Sequence, residues 1–313
     1  MKVCILGAGG FIGTHLAIDL KNKGYYVIGC DLKYPEFSET VCDEFHIRDL
    51  RKKESFDIIT SDCDMIYQLA ADMGGAGYIF VGDNDSDIIH NSALINLNTV
   101  ERMREVGIKN VFFSSSACIY PAYNQVDINN PTTAEDTAYP ADPDSDYGFE
   151  KLFSERVYLA HSRNYGFNVT IARLHNVFGP LSCYDNGKEK VPAALCRKII
   201  ESDSIEVWGN GQQTRSFLYI DECILGIHKL IQSGYRKPVN LGSERLIGIN
   251  DLAYLIASLK NKNITIKNIS GPVGVMGRTS DNKLIKQVTG WKPEDNLEYG
   301  LINLYNWIES QIG

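Results

Sequence analysis

Short apolar runs alternate with longer stretches of mixed polarity through the first half of the chain. The runs predict strands, and the longer stretches predict helices between them. The predicted strands are 2–6, 25–31, 45–47, 65–69, 110–113 and 168–173, and the clearest predicted helices are 14–23, 90–104 and 147–165. Strands that are apolar on both faces are typical of a parallel sheet covered by helices on each side. The pattern therefore predicts an α/β fold with a doubly wound parallel sheet.

From about residue 174 the elements become shorter and are separated by Gly and Pro. A helix is predicted to open within 187–192, whereas 217–221 and 238–242 are predicted to return to the first domain. We therefore predict a nucleotide-binding domain formed by 1–173 plus about 216–245. The remaining segments, about 174–215 and 246–313, are predicted to form a smaller C-terminal α/β lobe that binds substrate.

Composition narrows the possible partners. The 313 residues are 44% hydrophobic and 22% charged, which is ordinary for a globular protein, and the net charge of −8 argues against a nucleic-acid surface. No apolar run reaches the ~20 residues needed to span a bilayer, so we expect no membrane association and a cytoplasmic location. The eight cysteines and six histidines show no zinc-ligand spacing and no disulfide framework, so no metal is expected.

A glycine-rich segment joins the first strand to the first helix. Glycines at Gly7, Gly10 and Gly13 allow a tight turn, close approach of the backbone to a pyrophosphate and close packing of helix on strand. The second strand ends in Asp31, 18 residues after Gly13, where a carboxylate suits the ribose hydroxyls of NAD and repels the 2′-phosphate of NADP. The alternative is that Asp31 only caps a turn.

Small side chains follow the fourth predicted strand. Ala70 and Ala71 would let a cofactor pass closely, and a glycine-dense loop at 72–78 follows them. Because ligands of open α/β sheets bind beyond the carboxyl ends of the strands, we expect this loop to lie at the site. A flexible turn is the alternative. We also expect Asn98, on the following helix, to face the cofactor.

The candidate reaction centre combines a hydroxyl-rich strand end with a Tyr and a Lys. Tyr147 and Lys151 lie one helical turn apart, so the ammonium should lower the pKa of the phenol, while Ser116 can bond the same substrate oxygen. Cys118 lies two residues beyond Ser116 and could carry a second proton transfer. The alternative is that this Tyr–Lys pair is a chance occurrence and that Cys118 is a buried core thiol.

Four cations in the second half are candidates for contacts to a pyrophosphate or for a proton donor. They are Lys190, Lys198, Arg215 and Arg278. The alternative for each is an ordinary solvated side chain.

Taken together, Gly7 to Gly13, Asp31, Ser116, Tyr147 and Lys151 resemble the extended short-chain dehydrogenase/reductase family acting on nucleotide sugars, over nearly the whole chain. More specific strings resemble one branch of that family, the GDP-mannose 3,5-epimerases: 70–75, 115–121, 175–176, 189–194 and 213–217. Ala76 departs from the Met expected in plant members, which puts the identity of the sugar in question more than the chemistry.

This resemblance implies the following roles. Cys118 and Lys190 form an acid/base pair, while Tyr147, Lys151 and Ser116 serve hydride transfer. NAD is implied as the cofactor, with contacts from Gly7, Gly10, Phe11, Ile12, Gly13, Asp31, Asp49, Leu69, Ala70, Ala71, Asn98, Ser114, Tyr147 and Lys151. A nucleotide sugar, with a GDP-sugar favoured, is implied as the substrate, with contacts from Gly75, Ser116, Cys118, Asn176, Glu189, Lys190, Lys198, Gln213, Arg215 and Arg278.

The implied reaction is an epimerisation through a transient 4-ketone, which acidifies the protons at C3 and C5. The dimer common in the family is expected here too. A 4-epimerase or a 4,6-dehydratase would use the same Tyr and Lys, although a dehydratase usually has a carboxylate where Cys118 lies. A catalytically idle NAD-binding module is the alternative from a different functional class.

Overall fold

A computed structural model describes residues 1–313, and a parallel sheet of seven strands forms its centre. The strands of the chain are β1 Lys2–Leu6, β2 Tyr26–Asp31, β3 Glu44–Ile47, β4 Met65–Gln68, β5 Asn110–Ser116, β6 Asn168–Leu174, β7 Val177–Phe178, β8 Ser204–Trp208, β9 Thr214–Arg215, β10 Leu218–Tyr219, β11 Val239–Leu241, β12 Ile247–Gly248, β13 Thr265–Ile269 and β14 Gly277–Arg278. The helices are α1 Phe11–Asn22, α2 Ala76–Ile79, α3 Asp85–Val106, α4 Asp146–Tyr165, α5 Val191–Glu201, α6 Ile220–Ser233, α7 Ile249–Leu259, α8 Lys283–Thr289 and α9 Leu297–Ile312.

The order of strands in the central sheet is β11-β6-β5-β4-β1-β2-β3, with every pair parallel. From β1 the chain proceeds outward to β2 and β3, and it then crosses back to β4 on the other side of β1. The strand order therefore reverses between β1 and β4: the chain leaves β1 toward β2 and leaves β4 toward β5, on the opposite side. Such a reversal opens a crevice beyond the carboxyl ends of the strands, where ligands bind in sheets of this kind.

Alternate residues of β1 belong to different halves of the core, which confirms the doubly wound arrangement. Val3 and Ile5 pack in a cluster with α1 and α6, whereas Cys4 and Leu6 pack in a second cluster with residues of α3 and α4. Both faces of the strand are therefore covered by helices. This explains why β1 is apolar throughout rather than alternating.

The ends of the two long helices follow from local chemistry. Ser145 caps α4, because its Oγ accepts a hydrogen bond from the backbone N–H of Gly148 at 3.3 Å. Gly166 and Gly107 end α4 and α3 in the left-handed conformation, with φ of 69° and 82°. The capped start of α4 places Tyr147 and Lys151 beside the end of β5.

The second half of the chain adds three small sheets beside the central one. β13 pairs with β8, β9 lies between β12 and β14, and β10 pairs with β7. Helices α5, α7 and α9 share the first hydrophobic cluster with β1 and α1. The lobe and the central sheet are thus joined by a continuous core.

The structure adds detail to two predicted segments. The segment 217–221 contributes β10 to a separate two-stranded sheet and then opens α6, whereas 238–242 joins the central sheet as β11. The glycine-dense stretch 72–78 is not a loop throughout, because the short helix α2 begins within it at Ala76. None of the helices is both long enough and apolar enough to cross a bilayer.

Candidate active site

A cavity of about 980 Å³ lies between the carboxyl ends of the central strands and the smaller lobe. Its walls include Gly7 after β1, Asp31 at the end of β2, Leu69 after β4, Ser116 at the end of β5 and Leu174 at the end of β6. The volume lies at the upper end of the ~300–1,000 Å³ range of ligand pockets. Such a cavity has room for more than one small ligand.

The floor of the cavity at β1 is a backbone cradle that only glycine permits. A Cβ on Gly13 would lie 2.1 Å from the carbonyl oxygen of Gly7, and a Cβ on Gly9 would lie 2.2 Å from the carbonyl oxygen of Lys33. Gly7 itself has φ +93°, in the left-handed region. Gly10 begins α1 without a side-chain cap, and the first turn carries no acidic residue. The free N–H groups of α1 therefore suit a pyrophosphate, as a dinucleotide requires.

Asp31 is built into the same cradle. Its carboxylate accepts hydrogen bonds from the backbone N–H groups of Gly9 at 2.9 Å and Leu32 at 2.6 Å. Burial raises the pKa of Asp31, and these backbone bonds oppose that effect. The carboxylate borders the cavity, whose wall also contains Phe11, Ile12, Asp49, Ala70, Ala71 and Ser114.

Asn98 does not line the cavity, contrary to the expectation that it faces the cofactor. Its side-chain amide donates to the backbone carbonyls of Leu50 at 3.3 Å and Arg51 at 3.1 Å. Leu50 and Arg51 do line the cavity, as does Asp49, which holds the Arg51 guanidinium at 2.8 and 2.9 Å. Asn98 therefore supports the wall from behind.

The Tyr–Lys pair projects from the first turns of α4 into the cavity. Lys151 Nζ donates to the carbonyl oxygen of Ser114 at 3.0 Å and lies 5.7 Å from the centroid of the Tyr147 ring. Burial raises the pKa of Tyr147, a hydrogen bond with Ser116 partly opposing it, and burial lowers the pKa of Lys151. The pKa of the phenol is thus raised rather than lowered, because burial is the largest influence on Tyr147.

Glu150, the neighbour of Lys151, is a buried carboxylate that was not among the predicted site residues. Its Oε1 accepts hydrogen bonds from Asn96 Nδ2 at 3.0 Å and Ser154 Oγ at 2.5 Å, whereas Oε2 has no partner. Its negative charge opposes the effect of burial on the Lys151 pKa. The signal was an acid on the buried face of α4, directly before the lysine.

Cys118 lies in a single 3₁₀ turn, Ala117–Ile119, directly after β5 rather than on the strand itself. The turn is held by the Ser116 hydroxyl, which accepts from the backbone N–H of Cys118 at 3.2 Å. A Cβ on Gly148 would lie 2.1 Å from the carbonyl oxygen of Cys118, so this glycine lets α4 approach the turn. The Cys118 thiol and the Tyr147 phenol are thereby brought to one wall of the cavity.

Lys190 lies on the same cavity, at the residue that precedes α5. Burial lowers the pKa of Lys190, and the negative charges that Cys118 and Cys223 would carry oppose this effect. The Lys190 segment is braced by Gly75, whose N–H donates to the carbonyl of Lys188 at 2.9 Å. The amine of Lys190 and the thiol of Cys118 therefore line one cavity, and both are groups that can take part in proton transfer.

The other predicted substrate residues also line the cavity, and their polar atoms are held in place. Asn176 donates to Ser216 O at 2.9 Å, and Glu189 accepts from Gly187 N–H at 2.6 Å. Lys198 donates to Glu206 O at 2.7 Å, and Gln213 donates to Trp208 O at 3.1 Å.

The two arginines among the four candidate cations are not solvated. Arg215 donates to the carbonyls of Val273 and Val275 at 2.9 and 2.7 Å. Arg278 is buried against Asp144, Gln125 and Cys118. Asp144 and Gln125 were missed because no local pattern marks them. Histidine, cysteine and carboxylate side chains form no cluster that could hold a metal ion.

Comparisons with known proteins agree with this geometry. Residues 3–242 match the NAD dependent epimerase/dehydratase family. The whole chain is 44% identical to GDP-mannose 3,5-epimerase from Arabidopsis thaliana, covering 83% of that protein, and 43% identical to GDP-mannose 3,5-epimerase 1 from Oryza sativa subsp. indica, covering 82%.

Solved structures share the fold at lower identity. UDP-glucose 4-epimerase from Thermotoga maritima superposes with a TM-score of 0.86 at 23% identity, and both chains are covered completely. A variant of UDP-glucuronic acid 4-epimerase from Bacillus cereus, in complex with a fluorinated UDP-sugar and NAD, superposes with a TM-score of 0.84 at 22% identity, again over both complete chains.

Proposed function

This chain belongs to the NAD dependent epimerase/dehydratase family, and we propose that within it the protein acts as a GDP-mannose 3,5-epimerase. The 44% identity to the Arabidopsis enzyme over the full chain supports this function. The observation that carries it is that the thiol of Cys118 and the amine of Lys190 line the same cavity as Tyr147 and Lys151. A 4-epimerase needs only the second pair.

The cofactor of the family is NAD, which when bound would supply the acceptor and donor of hydride for C4 of the sugar. The glycine cradle and the open N-terminus of α1 would hold its pyrophosphate, and Asp31 its adenosine ribose. Tyr147 removes the proton from the sugar 4-hydroxyl and later returns it. The Ser116 hydroxyl forms a hydrogen bond with the same oxygen. Lys151 supplies a fixed positive charge that stabilises the phenolate when it forms.

Proton transfer at carbon follows once the 4-ketone acidifies C3 and C5. In the resting site Cys118 is a thiol whose pKa is raised by burial, whereas Lys190 is an amine whose pKa is lowered by burial. Burial thus favours the neutral thiol, which can act as an acid, and the neutral amine, which can act as a base. We assign them to opposite faces of the ring, so that one removes a proton and the other returns one.

The two parts of the chain are assigned to different ligands, because the residues proposed to contact each ligand lie in different segments. We assign NAD to 1–173 plus about 216–245, and the nucleotide sugar to about 174–215 and 246–313. Gly75, Asn176, Glu189, Lys198 and Gln213 would position the sugar nucleotide, with the half-buried Arg215 and the buried Arg278 as its cations.

The test is product analysis with a panel of nucleotide sugars. Purified protein with NAD should convert GDP-mannose into isomers inverted at C5 and at C3 plus C5, identified by NMR, and should leave UDP-glucose unchanged. Inversion of a UDP-sugar at C4 would instead favour a 4-epimerase, and loss of water would favour a 4,6-dehydratase. Binding of NAD without turnover of any sugar would favour a non-catalytic module.

We also propose that the protein is a homodimer through α3 and α4. These helices pack on each other and expose large apolar side chains, Ile89 and Leu97 on α3 and Phe149 and Phe153 on α4. Light scattering should give twice the chain mass of 35.0 kDa, and Phe149→Ser with Phe153→Ser should give the monomer mass. A wild-type monomer at micromolar concentration would contradict the proposal.

A reducing, cytoplasmic location is proposed as well, because oxidation would remove the Cys118 thiol.

A further inference from the structure

The guanidinium of Arg278 is held in a buried three-way contact beside the Cys118 thiol. Its Nη1 donates to Cys118 Sγ at 3.1 Å, its Nε donates to Gln125 Oε1 at 2.6 Å, and its Nη2 pairs with the Asp144 carboxylate. The side chains of Arg278 and Asp144 are only 6% and 4% exposed. The contact is therefore shielded from water and salt.

Gln125 and Asp144 fix this arrangement from two directions. Gln125 Nε2 donates to the carbonyls of Tyr120 at 3.0 Å and Pro121 at 3.3 Å, which follow the Cys118 turn directly. Asp144 lies two residues before the start of α4, in a segment that bridges back to Pro121 through Pro143. The guanidinium is thus tied both to the loop that carries the thiol and to the helix that carries the phenol.

The two charges act on the thiol in opposite directions. A guanidinium alone against a sulfur favours the thiolate, as at reactive cysteines beside cations. A carboxylate in the same buried contact favours the neutral thiol. After burial itself, Asp144 is the next strongest influence that raises the pKa of Cys118, and Arg278 opposes it.

Resting on the proposed role of Cys118 as a carbon acid/base, we propose that Asp144 is a positioning residue for that thiol. It fixes the Arg278 guanidinium against Sγ and supplies the negative charge that keeps the sulfur protonated before substrate binds. The other polar or charged groups that act on or with the sulfur are Ser116, Tyr147, Lys190 and Arg215. None of them is altered in the variants below, so a change in thiol ionisation reports on the Asp144–Arg278 pair.

The test measures the ionisation of Cys118 directly, without substrate. The protein with bound NAD is alkylated with iodoacetamide across a pH series, and modification of the Cys118 peptide is followed by mass spectrometry. Asp144→Asn keeps an acceptor for Arg278 but removes the charge, so the apparent pKa of the thiol should fall by about 1 unit or more, the size of effect that a nearby charge produces. Alkylation below that pKa should then be about tenfold faster, in proportion to the thiolate fraction.

Two further variants predict the direction of the shift in the thiol pKa, which general damage to the fold would not reproduce. Arg278→Gln leaves Asp144 unbalanced, so the pKa of the thiol should rise and alkylation should slow at every pH. Asp144→Glu should restore most of the wild-type profile. The control is Asp142→Asn, which removes the same charge from an exposed position two residues away and should leave the titration unchanged.

The proposal is overturned if Asp144→Asn and Arg278→Gln shift the thiol in the same direction, or if neither differs from Asp142→Asn. If Asp144→Asn does not fold, as judged by circular dichroism, Arg278→Gln decides: an unchanged or lowered pKa of the thiol in that variant overturns the proposal. Failure of the protein to turn over GDP-mannose would count against the proposed function. It would not change the result of the thiol titration, which uses no substrate.

Discussion

Replacement of Gly75 by Ala should impair proton exchange by Lys190 and leave NAD binding unchanged. The substitution alters neither of the proposed catalytic side chains, Cys118 and Lys190. Gly75 has φ −76° and ψ −173°, an extended conformation open to any residue, so its backbone tolerates a side chain. An added Cβ, however, would lie 2.1 Å from the carbonyl oxygen of Glu189. Glu189 directly precedes Lys190, so the clash is transmitted to the proposed base.

The size of the effect follows from that distance. Ordinary contacts of a Cβ begin at about 3.4 Å, so the Glu189 carbonyl and Gly75 must separate by roughly 1.3 Å, which also strains the 2.9 Å bond from Gly75 N–H to Lys188 O. A misplacement of about 1 Å can cost about 10²-fold in rate. We therefore expect the exchange of solvent deuterium into GDP-mannose to fall about 100-fold in Gly75→Ala.

The assay is incubation with GDP-mannose and NAD in heavy water, with isotope content read by NMR, alongside NAD titration by protein fluorescence. NAD affinity should stay unchanged because the glycine cradle at 7–13 is not involved. The matched control is Gly77→Ala, whose Cβ would meet only the tip of the Trp208 ring, at 3.0 Å, and needs a shift of a few tenths of an ångström. Wild-type exchange in Gly75→Ala, or an equal loss in both variants, would refute the coupling of Gly75 to Lys190.

Four further outcomes are expected. Asp31→Ala should weaken NAD binding and improve relative use of NADP, because the carboxylate that repels a 2′-phosphate is gone; unchanged discrimination in binding assays would remove Asp31 from cofactor selection. Tyr147→Phe should abolish both reduction of NAD in single-turnover absorbance measurements and exchange at carbon, since the 4-ketone precedes exchange; retained turnover would exclude the phenol as the acid/base at the 4-hydroxyl. The pH profile of exchange should fall at low pH as Lys190 becomes protonated, with this limb below the pKa of ~10.4 usual for lysine because burial lowers it, and should fall at high pH as Cys118 ionises above its usual range. Cys118→Ser should lose about 10²–10⁴ in exchange rate and also lose the high-pH limb, whereas a profile identical to the wild type would exclude the thiol.

Much of the central sheet could be predicted because its determinants are local. Buried parallel strands are continuous apolar runs, so β1, β2, β4 and β6 were predicted within one residue at either end. Part of the glycine cradle was predicted for a similar reason, since close approach of backbone to backbone leaves glycine as the only residue that fits at Gly7 and Gly13. A Cβ on Gly10, which was predicted with them, would make an ordinary contact at 3.4 Å, whereas Gly9 was not predicted and has no room for a Cβ.

What could not be predicted depends on contacts between distant parts of the chain. The segment at β10 is as apolar as a central strand, and only the position of β7 decides that it pairs there. Asn98 lies on the predicted helix, but its side-chain amide donates to backbone carbonyls of the loop at 50–51 and does not reach the cavity. Asp144 is one of several acids in a Pro- and Asp-rich segment, and its role depends on Arg278, 134 residues later. The raised pKa of Tyr147 depends on burial, which no local pattern reports.

The central claim is that protons are exchanged at C3 and C5 of GDP-mannose by Cys118 and Lys190, after oxidation at C4. The most direct measurement is NMR of GDP-mannose recovered from wild-type protein and NAD in heavy water, with Cys118→Ala and Lys190→Ala in parallel. The account predicts deuterium at both C3 and C5 with wild-type protein, none at C4, and little at either carbon with the two variants. Absence of deuterium at C3 and C5 with wild-type protein, or undiminished exchange in both variants, would contradict it.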